Sequence, residues 1–328
     1  MQHLCLEPVA ARNPAAGAGV TPQPAVLRSV YYAGLRAFAI PAVMRRLREA
    51  GVVLCYHNVL PQRNAGAAGD PAIHLALERF AEEVNWLARR YAVVSLAEFI
   101  ARVRAGRPLG GVATVTFDDA YAGVFVHAWP LLRDLGVPAT VFVVAEAPEQ
   151  RAPFWWDHPD VARRTAPAPR ERWLGDLGGD ASRIASALAL SPTMPARLPD
   201  SHRPAGWDAI AAVAAAGLDI GVHSATHRTL SRLDNTELER EIVGSRATIG
   251  ARLGITPTLF AYPYGVWDVR VRDAVHAAGY RGAVTLDYGL VTAGADPWAL
   301  RRVNIPSGIT LPAFEAWIAG LHPRRGRD

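Results

Sequence analysis

The sequence predicts an α/β fold in which about seven parallel strand–helix units close into a barrel interrupted by one long insertion. Three observations carry that expectation. Short apolar runs rich in β-branched residues alternate with segments of helical periodicity at the spacing of crossover connections. Runs such as Val112 to Phe117 carry no charge, as strands buried on both faces require. Where the runs stop, polar residues recur: His57, Asp118 with Asp119, His223 with His227, and Tyr262 to Gly265. Reactive groups gather at the carboxyl ends of strands in parallel α/β folds, so these four ends are the candidate site.

Taken in order, residues 1–25 form an Ala/Pro/Gly-rich tail expected to be disordered. Val26 to Ala50 reads as an amphipathic helix, with Leu27, Tyr31, Leu35, Phe38 and Val43 set among Arg28, Arg36, Arg45, Arg46 and Arg48. Arginine interrupts it too often for a membrane span. It either packs on the domain, with Pro41 as a break, or lies on an anionic membrane surface with its aromatic side inserted. Gly51 to Val59 reads as a buried strand and Pro61 to Pro71 as a loop. Ala76 to Tyr91 places Phe80, Val84, Leu87 and Tyr91 on one helical face, and Ser95 followed by Glu98 has capping-box spacing for the next helix. The strand Val112 to Phe117, a helix around Phe125 to Leu135 and the strand Pro138 to Val144 make a strand–helix–strand unit.

Residues 145–206 break this rhythm. They are rich in Pro, Arg and Ala, open with the aromatic cluster Phe154 to Asp157, and hold a helical patch near Ser182 to Leu190. A segment of that length is expected to be a lid or binding element over one end of the sheet. Alternation resumes with the helix Trp207 to Gly217, the strand "DIGVHS", the helix Asp234 to Gly254, the strand and turn "PTLFAYPYG", and the helix "VRDAVHAAGY". "GAVTLD", "LRRVNIP" and a helix from Pro312 to Gly320 finish a single domain spanning residues 51–322.

Composition bounds the function. Of 328 residues, 50% are apolar and 20% charged, which suits a soluble globular enzyme. All 35 basic residues are arginine, spread along the chain. No basic run interleaved with aromatics and no zinc-finger spacing occurs, which argues against a nucleic-acid partner. Two cysteines, Cys5 and Cys55, make no disulfide framework, and Cys55 within "GVVLCYH" reads as a buried free thiol. A charged-then-apolar leader pattern is missing, so a cytoplasmic location is expected, at the inner face of the membrane if the Val26 to Ala50 helix docks there.

The strand ends carry chemistry. In "HSATH", His223 and His227 are four residues apart, a spacing that brings both imidazoles to one side of a helical turn and to a common ion. Alone, such a pair is more often a surface cap. A carboxylate from another strand end alters the balance, since an acid with two histidines is a common ligand set for a catalytic zinc-like ion. Side chains of adjacent residues on an extended segment diverge, so Asp118 and Asp119 can divide labour, one on the ion and the other as base toward water, although such a pair taken alone is more often a helix N-cap or a solvated turn. In "FAYPYG", Pro263 fixes the backbone so that following amides can aim at an oxyanion, although taken alone the segment reads as an ordinary Pro-Gly turn. Trp155, Trp156 and Trp207 either offer indole faces to a sugar or pack as a lid.

"TFDDAY", "HSATH" and "FAYPYG", in that order and at these separations, resemble the first three motifs of the polysaccharide deacetylase family, also called the NodB-homology or carbohydrate esterase family 4 domain. "LCYHNV" and "VVSLAEF" resemble the branch of poly-N-acetylglucosamine deacetylases, and the likeness runs roughly from Val52 to Pro306. The resemblance implies a distorted (β/α)7 barrel of the NodB-homology type. It implies removal of an N-acetyl or N-formyl group from an amino sugar in a glycan, lipid-linked or nucleotide-linked glycoconjugate. Asp118 would be the general base, and Asp119, His223 and His227 the ligands of one divalent transition metal, zinc foremost. The Tyr264 backbone N–H would hold the oxyanion.

The general acid is assigned to His57 in preference to His322 of "GLHPRR". Ala261 stands where the third motif often begins with arginine, and Arg302 is the candidate to orient the base instead. Ala120 replaces the usual glycine after the paired acids, so that turn is expected to be right-handed or slightly strained. The alternative reading is a catalytically inactive member that binds carbohydrate or a partner, which a lack of bound transition metal in purified protein would mark.

Overall fold

The structure, a computed structural model, describes residues 25–62, 70–162, 167–190 and 198–322. The expected tail lies outside them except for Ala25, as does Cys5. The strands are β1 (Ala50–Tyr56), β2 (Asn58–Leu60), β3 (His74–Ala76), β4 (Ala92–Val93), β5 (Val112–Phe117), β6 (Ala139–Val143), β7 (Asp219–Val222), β8 (Leu259–Ala261), β9 (Gly282–Tyr288), β10 (Val291–Thr292) and β11 (Leu300–Asn304). Seven of these pair in parallel around a ring that runs β1, β5, β6, β7, β8, β9, β11 and returns to β1. The ring closes at β1, where Leu54 is in register with Val115 of β5 on one side and Val303 of β11 on the other. β4 extends the wall beside β5, β10 runs antiparallel to β1, and β2 pairs with β3 apart from the ring. This is the expected (β/α)7 barrel, and the uncharged run of β5 is buried along its whole length.

Helices wrap the ring. They are α1 (Ala25–Ala37), α2 (Ile40–Leu47), α3 (Leu77–Ala88), α4 (Leu96–Arg104), α5 (Trp129–Asp134), α6 (Ala147–Gln150), α7 (Pro159–Ala162), α8 (Pro167–Gly175), α9 (Ala181–Ala187), α10 (Trp207–Ala215), α11 (Asn235–Glu239), α12 (Ser245–Leu253), α13 (Val269–Ala277) and α14 (Leu311–Ile318). Ser95 caps α4 by accepting from the Glu98 backbone N–H at 3.2 Å. The Glu98 carboxylate binds Arg102 instead of returning to the cap, whereas a complete capping box forms between Asp234 and Glu237 at α11.

Two expectations about helices need correction. The segment Val26 to Ala50 is two helices, because the chain turns at Ala39 (φ 54°) and Pro41 sits in the first turn of α2, where proline's missing N–H costs nothing. The helix expected over Asp234 to Gly254 is split by a wide π turn, Arg240–Gly244. That turn carries the buried Glu241, whose carboxylate accepts from the backbone N–H groups of Ala225 and Thr226 at 2.9 Å each and from the Thr226 hydroxyl at 2.6 Å. Helix regularity gives way to a clamp on the loop after β7. The insertion, residues 145–206, forms α6 to α9 with a small core of Val161, Trp173 and Ile184.

Candidate active site

β5 hands its chain to the site through one more ladder bond, Asp118 N–H to Tyr56 O at 3.0 Å. Asp119 (φ 67°) and Ala120 (φ 50°) then both take left-handed conformations, so the two carboxylates leave the strand end in different directions. The turn is therefore not right-handed, and Ala120 bears the strain, about 1–2 kcal/mol for a residue with a Cβ. Backbone bonds hold it there, from Ala205 N–H to Ala120 O at 2.9 Å and from Ala122 N–H to Arg203 O at 2.8 Å.

Asp118 points at Arg302, which donates from both terminal nitrogens to the two carboxylate oxygens at 2.7 and 2.6 Å. Arg302 is fully buried and also donates to Thr285 O at 2.7 Å and Thr116 Oγ1 at 3.2 Å, so its fork is fixed. Burial alone would raise the Asp118 pKa, but the guanidinium overrides it and holds the carboxyl well below the usual carboxylate range. Arg302 thus pairs with both oxygens of the carboxylate it was expected to orient.

Asp119 points the other way. Its Oδ1 lies 3.2 Å from His227 Nε2 and 3.6 Å from His223 Nε2, and the two nitrogens are 3.1 Å apart. The histidines do not share a helical turn. They flank a loop after β7 in which Ser224 (φ 64°) and His227 (φ 62°) are left-handed and Ser224 Oγ accepts from His227 N–H at 3.0 Å. Loop closure under the Glu241 clamp, not helical phase, brings the rings together.

His223 Nδ1 sits 2.8 Å from Ala261 O, which assigns its proton to Nδ1 and turns the Nε2 lone pair inward. Burial pushes Asp119 up to about 6 and His227 down to about 4, and lowers His223 as well. Both imidazoles therefore favour the neutral form beside one carboxylate, and neutral rings are the form that binds a metal ion. Asp119 Oδ1 is buried with no hydrogen-bond donor among the described residues. A tetrahedral site with bonds of ~2.0–2.1 Å has ligand-to-ligand edges of about 3.3 Å, and separations of 3.1 to 3.6 Å match it. The donor set fits a zinc-type cation.

These side chains line one cavity of about 50 Å³, together with His57, Tyr264, Trp155, Trp156 and Arg170. A ring nitrogen of His57 lies within 4.8 Å of an Asp118 oxygen, and burial lowers its pKa against the pull of the two aspartates. Pro263 is buried and opens the turn in which Tyr264 (φ 58°) is left-handed. Gly265 (φ 69°) follows, where a Cβ would stand 2.3 Å from Leu286. The Tyr264 ring meets His227 edge-on at 4.4 Å, and its hydroxyl accepts from Trp155 Nε1 at 3.0 Å. Of eight non-glycine residues with positive φ among those described, five (Asp119, Ala120, Ser224, His227 and Tyr264) belong to the three motifs. Backbone strain is concentrated at the candidate site.

Two expected residues are elsewhere. Trp207 lines a separate cavity of about 520 Å³ with the Arg252 guanidinium 5.7 Å from its ring. His322 packs tilted against Tyr288 at 4.3 Å and edge-on to Trp317 at 4.2 Å, and is not among the residues lining the cavity of the carboxylate–histidine cluster. One residue was missed. Asp157 of the insertion is fully buried and accepts from the Tyr121 hydroxyl at 2.6 Å, His74 Nε2 at 3.0 Å and Asp70 N–H at 3.3 Å. Tyr121 in turn accepts from Trp156 Nε1 at 2.8 Å, and the Trp156 ring packs 4.8 Å from His227. Asp157 thus ties the insertion to the turn that carries Asp118 and Asp119. An acid closing an aromatic run was the only signal for it in the sequence.

Comparison with known proteins agrees with this geometry. The family model described as polysaccharide deacetylase matches residues 105–283. The poly-beta-1,6-N-acetyl-D-glucosamine N-deacetylase of Escherichia coli strain K12 is 25% identical over 273 residues, covering 80% of this chain and 38% of that protein. The chain spans 38% to 59% of the length of the curated relatives it matches. Among solved structures, IcaB from Ammonifex degensii superposes with a TM-score of 0.55 at 21% identity, covering 82% of this chain and 97% of that one. The Streptococcus pyogenes deacetylase PplD, solved with acetate, gives 0.56 at 17% identity, covering 80% and 95%. These likenesses confirm the fold. With its three motifs on the strand ends that this barrel gives to chemistry, the chain belongs to the polysaccharide deacetylase family.

Proposed function

We propose that this chain is a metal-assisted amide hydrolase that removes an N-acetyl or N-formyl group from an amino sugar. The observation that carries the proposal is the meeting of two arrangements on one cavity, the Asp119–His223–His227 donor set and the Asp118–Arg302 pair. Asp119, His223 and His227 would hold one divalent transition metal, zinc foremost, which when bound polarises the amide carbonyl and acidifies water. Asp118 accepts the water proton. Arg302 keeps that carboxylate ionised and correctly rotated, which makes it a weak base whose value lies in placement. His57 delivers a proton to the leaving nitrogen; burial favours its neutral ring, so it must first take up the proton that Asp118 has removed from water, and its lowered pKa then makes it release that proton readily. The Tyr264 backbone N–H, set by Pro263, is the assigned oxyanion donor. Trp155 and Trp156 exclude water and offer an apolar face to the sugar ring.

Trp155, Trp156 and Arg170 of the insertion line the cavity of about 50 Å³ beside these groups. We read the substrate as a terminal amino sugar on a lipid or nucleotide carrier. The location that goes with this reading is cytoplasmic, at the inner face of the membrane, where such carriers are met. A module that only binds would have no use for a strained turn that aims one acid at two histidines and the other at an arginine. The test is release of acetate or formate from lipid-, nucleotide- and oligosaccharide-linked amino sugars. Asp118→Asn should lower release about a hundred- to ten-thousandfold while retaining bound metal. Undiminished release in that variant would remove Asp118 as base, and no release by metal-loaded wild type from any substrate would overturn the hydrolase reading.

A further inference from the structure

Among the described residues, thirteen large apolar side chains are exposed, and seven of them lie between Leu27 and Leu47. Leu27, Val30, Tyr31 and Phe38 recur at the spacing of one helical side along and just past α1, and Ile40, Val43 and Leu47 do so on α2. Phe38 is 78% exposed and Leu47 72%. The opposite side of α1 is occupied: Tyr32 is buried, its hydroxyl accepts from Trp317 Nε1 at 2.9 Å, and Arg36 pairs with Glu315 of α14 at 3.3 Å. Packing on the barrel and an outward apolar stripe therefore coexist in the same helix.

Charge selects the partner. Residues 25–48 contain five arginines and no aspartate or glutamate, and Arg28, Arg36 and Arg46 are exposed. We infer that α1 and α2 form a docking face for a bilayer with anionic headgroups, the apolar stripe entering the interface and the arginines meeting the phosphates. A second copy of this chain fits worse, because a two-fold interface would set arginine against arginine. No described helix is long and apolar enough to cross a membrane, so the contact is with the surface. Arg28, Ser29 and Tyr32 line a cavity of about 240 Å³ with Pro306, Gly308 and Ile309, in the turn that leaves the carboxyl end of β11. The start of α1 is thereby placed at the same end of the barrel as the site. The inference rests on this surface and not on the reaction, although it deepens the reading of a lipid-linked substrate.

The experiment is flotation of the full chain with vesicles of phosphatidylcholine alone or with one-third phosphatidylglycerol. Wild type should float with the anionic vesicles and release as salt rises. Phe38→Asp with Leu47→Asp should lower that partition at least about tenfold, and Arg28→Glu with Arg46→Glu should abolish the preference for anionic lipid. All four positions are exposed, and an unchanged melting temperature checks that the variants fold. Wild type that ignores anionic vesicles overturns the inference, as does equal flotation of the aspartate pair. So does a wild-type oligomer that the aspartate pair dissociates in the absence of lipid binding. Flotation that persists while no amino sugar is hydrolysed would count against the reaction and leave this surface standing.

Discussion

Arg302 supplies from a neighbouring strand what the third motif lacks at Ala261. β11 and β5 flank β1 in the ring, so a long side chain on β11 reaches an acid at the end of β5 across the last residues of β1. Arg302→Met would leave Asp118 buried without its cation, and should cost about 3–5 kcal/mol in urea unfolding. Arg302→Lys keeps the charge but loses the fork. It should lower kcat about a hundredfold with KM little changed, and an unchanged kcat would show that the fork does not position the base. Asp118, Asp119, His223 and His227 were legible because an uncharged run that stops at an acid or an imidazole marks a strand end. The loop between the histidines was not legible, since spacing of four residues suits a helical turn and a loop with two left-handed residues equally. Asp157 was hidden by distance, its partners Tyr121 and His74 lying 36 and 83 residues away in the chain. Trp207 was singled out by residue type alone, while the start of α10 placed it in a different cavity.

At the scale of elements, α3 shows how periodicity finds a face without revealing what else it buries. Phe80, Val84 and Leu87 are in the core as expected, and so is Glu83. The Tyr56 hydroxyl donates to Glu83 Oε2 at 3.0 Å, while Oε1 is buried without a partner among the described residues. Burial raises the Glu83 pKa from 4.5 to about 8. The folded state therefore binds more protons than the unfolded chain between those values, so this group's contribution is full below pH 4.5 and is lost as pH rises toward about 8. Glu83→Gln should flatten that decline and be more stable than wild type near pH 8, on the order of a few kcal/mol. Urea midpoints across that range check it, and parallel profiles for the two proteins would refute it. The alternation of strands and helices was readable where an apolar run is a strand buried along its whole length, as in β5, β6 and β8. The split of the long helix after β7 was not, since nothing in the periodicity announces that Glu241 must turn inward to hold a loop.

For the whole molecule, the barrel brings candidate ligands from the ends of β5 and β7 to one point, so an ion bound there would cross-link segments more than one hundred residues apart, Asp119 to His223. A cation that binds only the folded state stabilises it by about 2.7 kcal/mol at one hundred times its dissociation constant. Chelation should therefore lower the melting temperature and added zinc restore it, while Asp119→Ala should make the protein indifferent to both; equal responses would place the ion elsewhere. A last consequence follows from the joint between α2 and β1. Only Arg48 and Glu49 separate them, and Arg48 is fastened to Gly320 O at 3.0 Å. The first two helices are thus a rigid bracket and not a tether. Any plane that holds them fixes the height and tilt of the barrel mouth, so a substrate flush with that plane and one raised on a long stalk would be served unequally for reasons of reach alone.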